Sequence, residues 1–166
     1  MLNTGSVSVY YYEMEIKKIK ENKASFMELL LLGDEQENMV HRYLDRGELY
    51  ALYDGGLITV SVVTKEAEKT YEIKNIATYE KFQGKRYGSR MIKFIIENYR
   101  NKCDLLLVGT GDNEKTLSFY YRNGFVYSHT VENFFTDNYD HPMFEDGKQL
   151  VDMIYLKMDF TQNGEI

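Results

Sequence analysis

The alternation of apolar and polar residues changes period several times along the chain. Met14 and Ile16, with a break before Ile19, alternate across residues 13–19 and predict a first strand with one solvated face. Residues 23–46 lack proline and carry Phe26, Leu29, Leu30, Met39, Val40, Tyr43 and Leu44 at helical spacings, interrupted at Gly33-Asp34. Two helices are expected there, the second capped by Asp34. Gly47 follows the last periodic residues and is expected to end that helix at positive φ. Residues 49–53 and 57–63 are β-prone runs joined by Asp54-Gly55-Gly56, a strong hairpin signal. A polar link at 64–69 leads to a third strand at 71–78, so three antiparallel neighbours are predicted.

The next helix opens at Gln83-Gly84-Lys85-Arg86-Tyr87-Gly88-Ser89 and carries Met91, Ile92, Ile95, Ile96 and Tyr99. Residues 103–108 form an apolar run of strand length, expected to be buried on both faces and to pair in parallel with the 71–78 strand across the helical crossover. Residues 109–113 read as a turn, and 114–123 as a short helix stopped by Gly124. The last two strands are expected at 125–131 and 150–158. Between them, 132–149 is a long loop whose Phe134, Phe135, Tyr139, Pro142 and Phe144 make it more aromatic than a connector needs. The first twelve residues, ending Tyr10-Tyr11-Tyr12, show no period and read as a loosely docked leader.

Composition narrows the function classes. A chain of 166 residues, 43% hydrophobic with one proline, fits a single domain around one core. Its net charge of −6 argues against nucleic acid or an anionic membrane surface as partner and points mildly to a cationic one. Cys103 is the only cysteine, so no internal disulfide can form, and it reads as a small core residue. No signal peptide or membrane-spanning run is visible, residues 29–32 being too short, and a cytoplasmic location is expected. His41, His129 and His141 lack ligand spacing, so no metal site is expected. The sequence has 15 Tyr and no Trp, a bias that suits half-buried strand and cleft positions and receives no mechanism here.

The candidate chemistry begins at the strand-to-helix junction of residues 71–99. A basic, glycine-containing loop that becomes a helix N-terminus aims unpaired N–H groups and the positive end of the helix dipole at one point, which suits an anion. A Walker loop would need Gly-Lys-Ser/Thr where the chain has Gly88-Ser89-Arg90, and a dinucleotide fingerprint fails on spacing. The acyl-CoA pattern Gln/Arg-x-x-Gly-x-Gly/Ala matches residues 83–88 except at Arg86. A second segment, Phe119-Tyr120-Tyr121-Arg122-Asn123-Gly124-Phe125 with Asn113 seven residues before Tyr120, completes a pair of motifs separated by one apolar strand. On these residues the chain, from about Met14 to Met158, resembles a GNAT-superfamily N-acetyltransferase of the small bacterial type.

The resemblance implies an α/β (α+β) fold with a mixed, mostly antiparallel sheet of about six to seven strands and about four helices. It implies acetyl-CoA as co-substrate and transfer of its acetyl group to a primary amine by direct attack through a tetrahedral intermediate. The strand before the loop would splay from its neighbour and offer Ile76, Ala77 and Thr78 to the pantetheine arm. The pyrophosphate would lie on Gln83, Gly84, Lys85, Arg86, Tyr87, Gly88 and Ser89. Arg86 stands where the family has glycine and is compatible if its φ is negative; Lys85 and Arg86 also read as a solvated surface pair. Tyr120 resembles the family's general acid, with Tyr121 as its neighbour for comparison. Glu72, expected by alternation to share a face with Lys74 and Ile76, is either the proton acceptor or a solvated strand residue. Asn113 is a ligand of the CoA arm, an N-cap of the following helix, or both.

Two other readings stay open. Val108-Gly109-Thr110-Gly111-Asp112-Asn113 also resembles a methyltransferase loop for S-adenosylmethionine, although too few elements follow it. An acetyl-CoA-binding sensor without turnover would share the same motifs. The acceptor is a small-molecule or peptide amine, for which acidity around Asp140, Glu145 and Asp146 suggests a polyamine, an aminoglycoside or a lysine side chain. Residues 140–147 are expected to rim its pocket, and a homodimer is compatible with the chain.

Overall fold

The computed structural model describes residues 13–163; the leader expected at 1–12 lies outside them. In chain order the elements are β1 (Glu15–Ile19), α1 (Met27–Gly33), α2 (Glu37–Leu44), β2 (Glu48–Tyr53), β3 (Leu57–Ala67) and β4 (Thr70–Thr78). There follow α3 (Tyr87–Tyr99), β5 (Leu105–Gly111), α4 (Glu114–Arg122), β6 (Val126–Val131), α5 (Phe134–Asn138), β7 (Met143–Glu145), β8 (Lys148–Leu150) and β9 (Met153–Asp159). Seven strands make one sheet in the order β1-β2-β3-β4-β5-β9-β6, with β4 and β5 parallel and every other pair antiparallel. The mixed, mostly antiparallel sheet is the one expected.

A helical layer covers each face. The stripe Met91, Ile92, Ile95 and Tyr99 on α3 is fully buried against Ile73, Leu106, Val108 and Leu156 on one face, together with Tyr120 and Phe125. Burying each such aliphatic side chain contributes about 1.5–3 kcal/mol. On the other face Leu29, Leu30, Val40, Tyr43 and Leu44 of α1 and α2 pack on Ala51, Val60, Val62 and Ala77. Among the described residues no helix is long and apolar enough to cross a membrane.

Several expectations fail, each for a definite physical reason. The α2 N-cap is Gln36 rather than Asp34, whose carboxylate is engaged elsewhere. Gly47 is not among the positive-φ residues; a Cβ there would lie 2.5 Å from Val62 Cγ1 and 2.8 Å from the Tyr43 carbonyl, so close approach to β3 requires the glycine. The link expected at 64–69 is mostly strand, because β3 continues to Ala67. β5 is buried chiefly on one side, with Leu106 and Val108 in the core and Leu105 and Leu107 half-exposed. The aromatic segment 132–149 is no open loop: it folds into α5 and the β7–β8 hairpin, which turns at Asp146 (φ 50°) and Gly147 (φ 76°). A third cluster, Phe135, Met143 and Leu150, anchors it.

Candidate active site

The β4–β5 ladder pairs only Thr70–Ile73 with Leu105–Val108, although β4 runs on to Thr78 and β5 to Gly111. Beyond that point β5 stays with β9 while β4 stays with β3, and the two strands part. The opening coincides with a bulge in β4: Val62 pairs with Asn75 and Val63 with Ile73, leaving Lys74 extra. The additional residue shifts the phase of every later side chain. Glu72 and Lys74 keep the common face that alternation gives them, with Lys74 Nζ 2.9 Å from the Glu72 carboxylate. Ile76 instead turns to the α3 core, contrary to strict alternation, and Asn75 and Ala77 turn to α1.

Gly109-Thr110-Gly111 is the paired end of β5, not a turn and not a cofactor loop. A Cβ on Gly109 would meet Met153 Sδ at 2.8 Å, and one on Gly111 would meet Leu150 Cδ2 at 2.6 Å. The glycines admit the side chains that close over this strand, which removes the methyltransferase reading.

On the α3 side the motif residues stand at the end of the splayed β4. Ala77 is buried against α1, Thr78 Oγ1 bonds Thr59 Oγ1 at 2.9 Å, and Gln83 Nε2 donates to the Thr78 carbonyl at 3.0 Å. Gly84 takes φ 74°. Arg86, the N-cap of α3, takes φ 68°, not the negative value its side chain favours. It thus keeps the left-handed backbone of a glycine at a cost of about 1–2 kcal/mol. No side chain caps α3, and its first intrahelical bond at this end runs from Arg90 N–H to the Arg86 carbonyl, leaving the N–H groups of Tyr87, Gly88 and Ser89 without helical partners. Lys85 and Arg86 are exposed beside them. This set of donors and cations fits a pyrophosphate.

The loop is braced from three directions. Tyr87 donates to the Asp54 carboxylate at 2.7 Å, Asn123 Nδ2 donates to Ser89 Oγ at 3.2 Å, and Gly88 sits where a Cβ would lie 3.3 Å from Phe119 Cζ. The hairpin turn and α4 thereby fix the N-terminus of α3.

Opposite the loop, a cavity of about 590 Å³ reaches from the strand opening to α1, α2 and the 134–155 segment. Glu72, Ile76 and Tyr120 all line it. Tyr120 is 5% exposed and packs edge-on against Phe119 and Phe125. Burial, and secondarily the Glu145 carboxylate, push its hydroxyl well above the ordinary tyrosine value, so it stays protonated. Tyr121 is 47% exposed and absent from the cavity wall. Glu72 is 6% exposed, held by Lys74, with burial and this carboxylate raising the Tyr155 hydroxyl beside it.

Asn113 stands apart from that cavity. Its Oδ1 caps α4 by accepting from Thr116 N–H at 3.1 Å, and its Nδ2 donates to Asp146 at 2.9 Å. Glu145 accepts from Thr116 Oγ1 at 3.0 Å, so the β7–β8 hairpin is tied to the start of α4. Of the 140–147 rim, Met143, Phe144 and Glu145 line the cavity; Asp140 and His141 do not. Sequence patterns gave no sign of Asp34, Tyr43, Tyr139 or Tyr155, all of which do. Asp34 read only as a helix cap, Tyr43 as part of a helical stripe and Tyr139 as part of the aromatic segment 132–149, and the tyrosine-rich composition was the one trace of Tyr155.

Comparison with known proteins accords with this geometry. Residues 45–127 match the acetyltransferase (GNAT) domain family. The chain is 35% identical over 150 residues to the uncharacterized N-acetyltransferase YvbK of Bacillus subtilis, covering 89% of this chain and 97% of that protein. A GNAT family acetyltransferase from Elizabethkingia anophelis, solved with acetyl-CoA bound, superposes with a TM-score of 0.83 at 36% identity, over 88% of this chain and 97% of the other. A Bacillus subtilis acetyltransferase in complex with CoA gives 0.82 at 35%, over 89% and 99%. The splayed strands, the uncapped helix and these relatives lead to one conclusion: the chain belongs to the GNAT acetyltransferases and uses acetyl-CoA as its co-substrate.

Proposed function

We propose that the enzyme acetylates a primary amine directly, with Tyr120 as general acid and Glu72 as proton acceptor. The observation that carries this reading is their placement: a buried phenol held in its protonated form and a buried carboxylate line one cavity at the mouth of the β4–β5 opening. The backbone N–H groups of Tyr87, Gly88 and Ser89 bind the pyrophosphate, with Lys85 and Arg86 supplying counter-charge. Gln83 and Gly84 shape the approach, and the β4 backbone at Ile76, Ala77 and Thr78, which pairs with β3 but with no strand on its β5 side, takes the pantetheine amides. Asn113 positions the start of α4 and keeps one amide hydrogen for the CoA arm.

Acetyl-CoA supplies the activated thioester. An ammonium has no lone pair, so the acceptor must surrender a proton before it attacks the carbonyl carbon. Glu72 accepts that proton, the C–N bond forms, and the C–S bond breaks as the tetrahedral adduct collapses. Tyr120 protonates the departing sulfur, and the second proton that the adduct nitrogen must lose returns through solvent to the Tyr120 phenolate, while the proton on Glu72 passes to solvent. The products are an N-acetylated amine and free CoA thiol. The test is free-thiol release from acetyl-CoA across a panel of primary amines, with mass spectrometry of the product. Amine-dependent release with acetate on nitrogen is expected. Calorimetric acetyl-CoA binding without thiol release from any amine would overturn the proposal in favour of a sensor.

A further inference from the structure

Resting on the amine-transfer reading, we propose that Asp34, on the α1–α2 side of the cavity, is a subsite for a second cationic group of the acceptor, so that the enzyme prefers diamines over monoamines of equal length. Asp34 lines the same cavity as Glu72 and Tyr120. Its carboxylate accepts from Tyr139 Oη at 2.8 Å and Tyr43 Oη at 3.3 Å, two neutral donors that orient it without neutralising it. No described lysine, arginine or histidine forms an ion pair with it. Burial shifts its proton affinity upward, as expected for a carboxylate lacking a counter-ion.

A second acceptor in the same wall is unsatisfied. Asn75 lines the cavity and is 3% exposed; its Nδ2 donates to the Leu30 carbonyl at 2.9 Å and to Tyr43 Oη at 3.0 Å. Its Oδ1 has no hydrogen-bond partner among the described residues. That oxygen is closed off against Gly33, on which an added Cβ would lie 2.5 Å from it, so the anionic group of this wall is Asp34, whose complement is an N–H-bearing cation. The charge of the lining points the same way. Lys74 and Arg46 are already committed to Glu72 and Glu66. Among the described residues Asp34, Glu35 and Glu145 form no ion pair, against Arg42 alone among the lining cations. The stacked rings of Phe135 and Tyr139, with centroids 5.5 Å apart, add aromatic surface of the kind that favours an ammonium.

The test compares α,ω-diamines of about three to eight carbons with n-alkylamines of the same lengths, by thiol release with wild type, Asp34→Asn and Tyr139→Phe. For at least one length the wild-type kcat/KM should favour the diamine by about 10-fold or more, the scale of one charge-assisted contact. Asp34→Asn should bring that ratio towards one. Tyr139→Phe, which removes a hydrogen bond but no charge, should retain the preference and so separates charge recognition from loss of folding. A ratio near one at every length in wild type, or a ratio that survives Asp34→Asn, overturns the proposal. Calorimetric titration of the same diamines into CoA-loaded protein reads the subsite apart from turnover. Binding lost in Asp34→Asn supports it even if no acetyl transfer occurs, whereas absent binding together with absent discrimination overturns it.

Discussion

The two sides of the β4–β5 opening are made of different material. On the α3 side the working groups are backbone N–H donors at an uncapped helix start, shaped by Gly84, Gly88 and a left-handed Arg86. Around the cavity they are side chains gathered from the α1 C-cap through β9: Asp34, Tyr43, Glu72, Tyr120, Tyr139 and Tyr155. A backbone site tolerates many side chains provided that the turn keeps its shape. A side-chain site depends on each residue and on the packing that delivers it. The relatives with CoA or acetyl-CoA bound share the fold, whereas the acidic and aromatic lining of this cavity must be read from the chain itself.

The largest effect should come from breaking the backbone side. Gly88→Glu pushes a side chain towards Phe119, 3.3 Å from the position of its Cβ, and sets a negative charge where the pyrophosphate is proposed to lie. Isothermal calorimetry should detect no acetyl-CoA binding, and unchanged affinity would remove the anion from this loop. Next, Tyr120→Phe tests the side-chain side. Turnover should fall by about 10²–10⁴-fold, the usual range for a general acid, while acetyl-CoA affinity holds. The exposed Tyr121→Phe should retain turnover; the reverse pattern would assign the role to the wrong tyrosine.

Alkaline stability sharpens the contrast further. Burial raises Tyr43, Tyr120, Tyr139 and Tyr155 in the cavity wall, and it raises Tyr50 to about 12. Because these phenols lose protons more readily in the unfolded chain, the stability they contribute is complete below the ordinary value of 10.0 and is lost as pH rises above it. Urea midpoints measured from pH 8 to 12 should stay level and then fall, in step with phenolate absorbance near 295 nm. Independent titration of these tyrosines near pH 10 without loss of stability would contradict their burial. The smallest effect should be Arg86→Gly. Release of about 1–2 kcal/mol of left-handed strain is partly offset by about 0.5–1 kcal/mol of glycine chain entropy. The melting temperature without ligand should rise by no more than about 6 °C. A fall in acetyl-CoA affinity would show that the guanidinium touches the phosphates; equal affinity would leave the site to backbone alone.

Much of this was legible in the chain because its causes are local. The Asp54-Gly55-Gly56 turn, the apolar stripe on α3 and the Gln83–Ser89 loop each act within a few residues, and so do the cap at Asn113 and the stop at Gly124. They fixed the strand order from β2 to β5 and the helix N-terminus, and they singled out Tyr120 as a candidate. Other features depend on which segments meet. The bulge at Lys74 follows from register with β3, and it decides that Ile76 leaves the face that Glu72 and Lys74 share. Gly47, Gly109 and Gly111 answer to Val62, Met153 and Leu150 across space rather than to their own turns. Asp34 looked like a helix cap by position, but Tyr43, nine residues on, and Tyr139, over a hundred residues away, make it a wall of the cavity. By itself the sequence determined a glycine-containing helix N-terminus suited to an anion and singled out Tyr120, since short-range patterns suffice for both. Only the tertiary structure decided what lines the cavity beside them, because that wall is assembled from residues that share no period and no local turn.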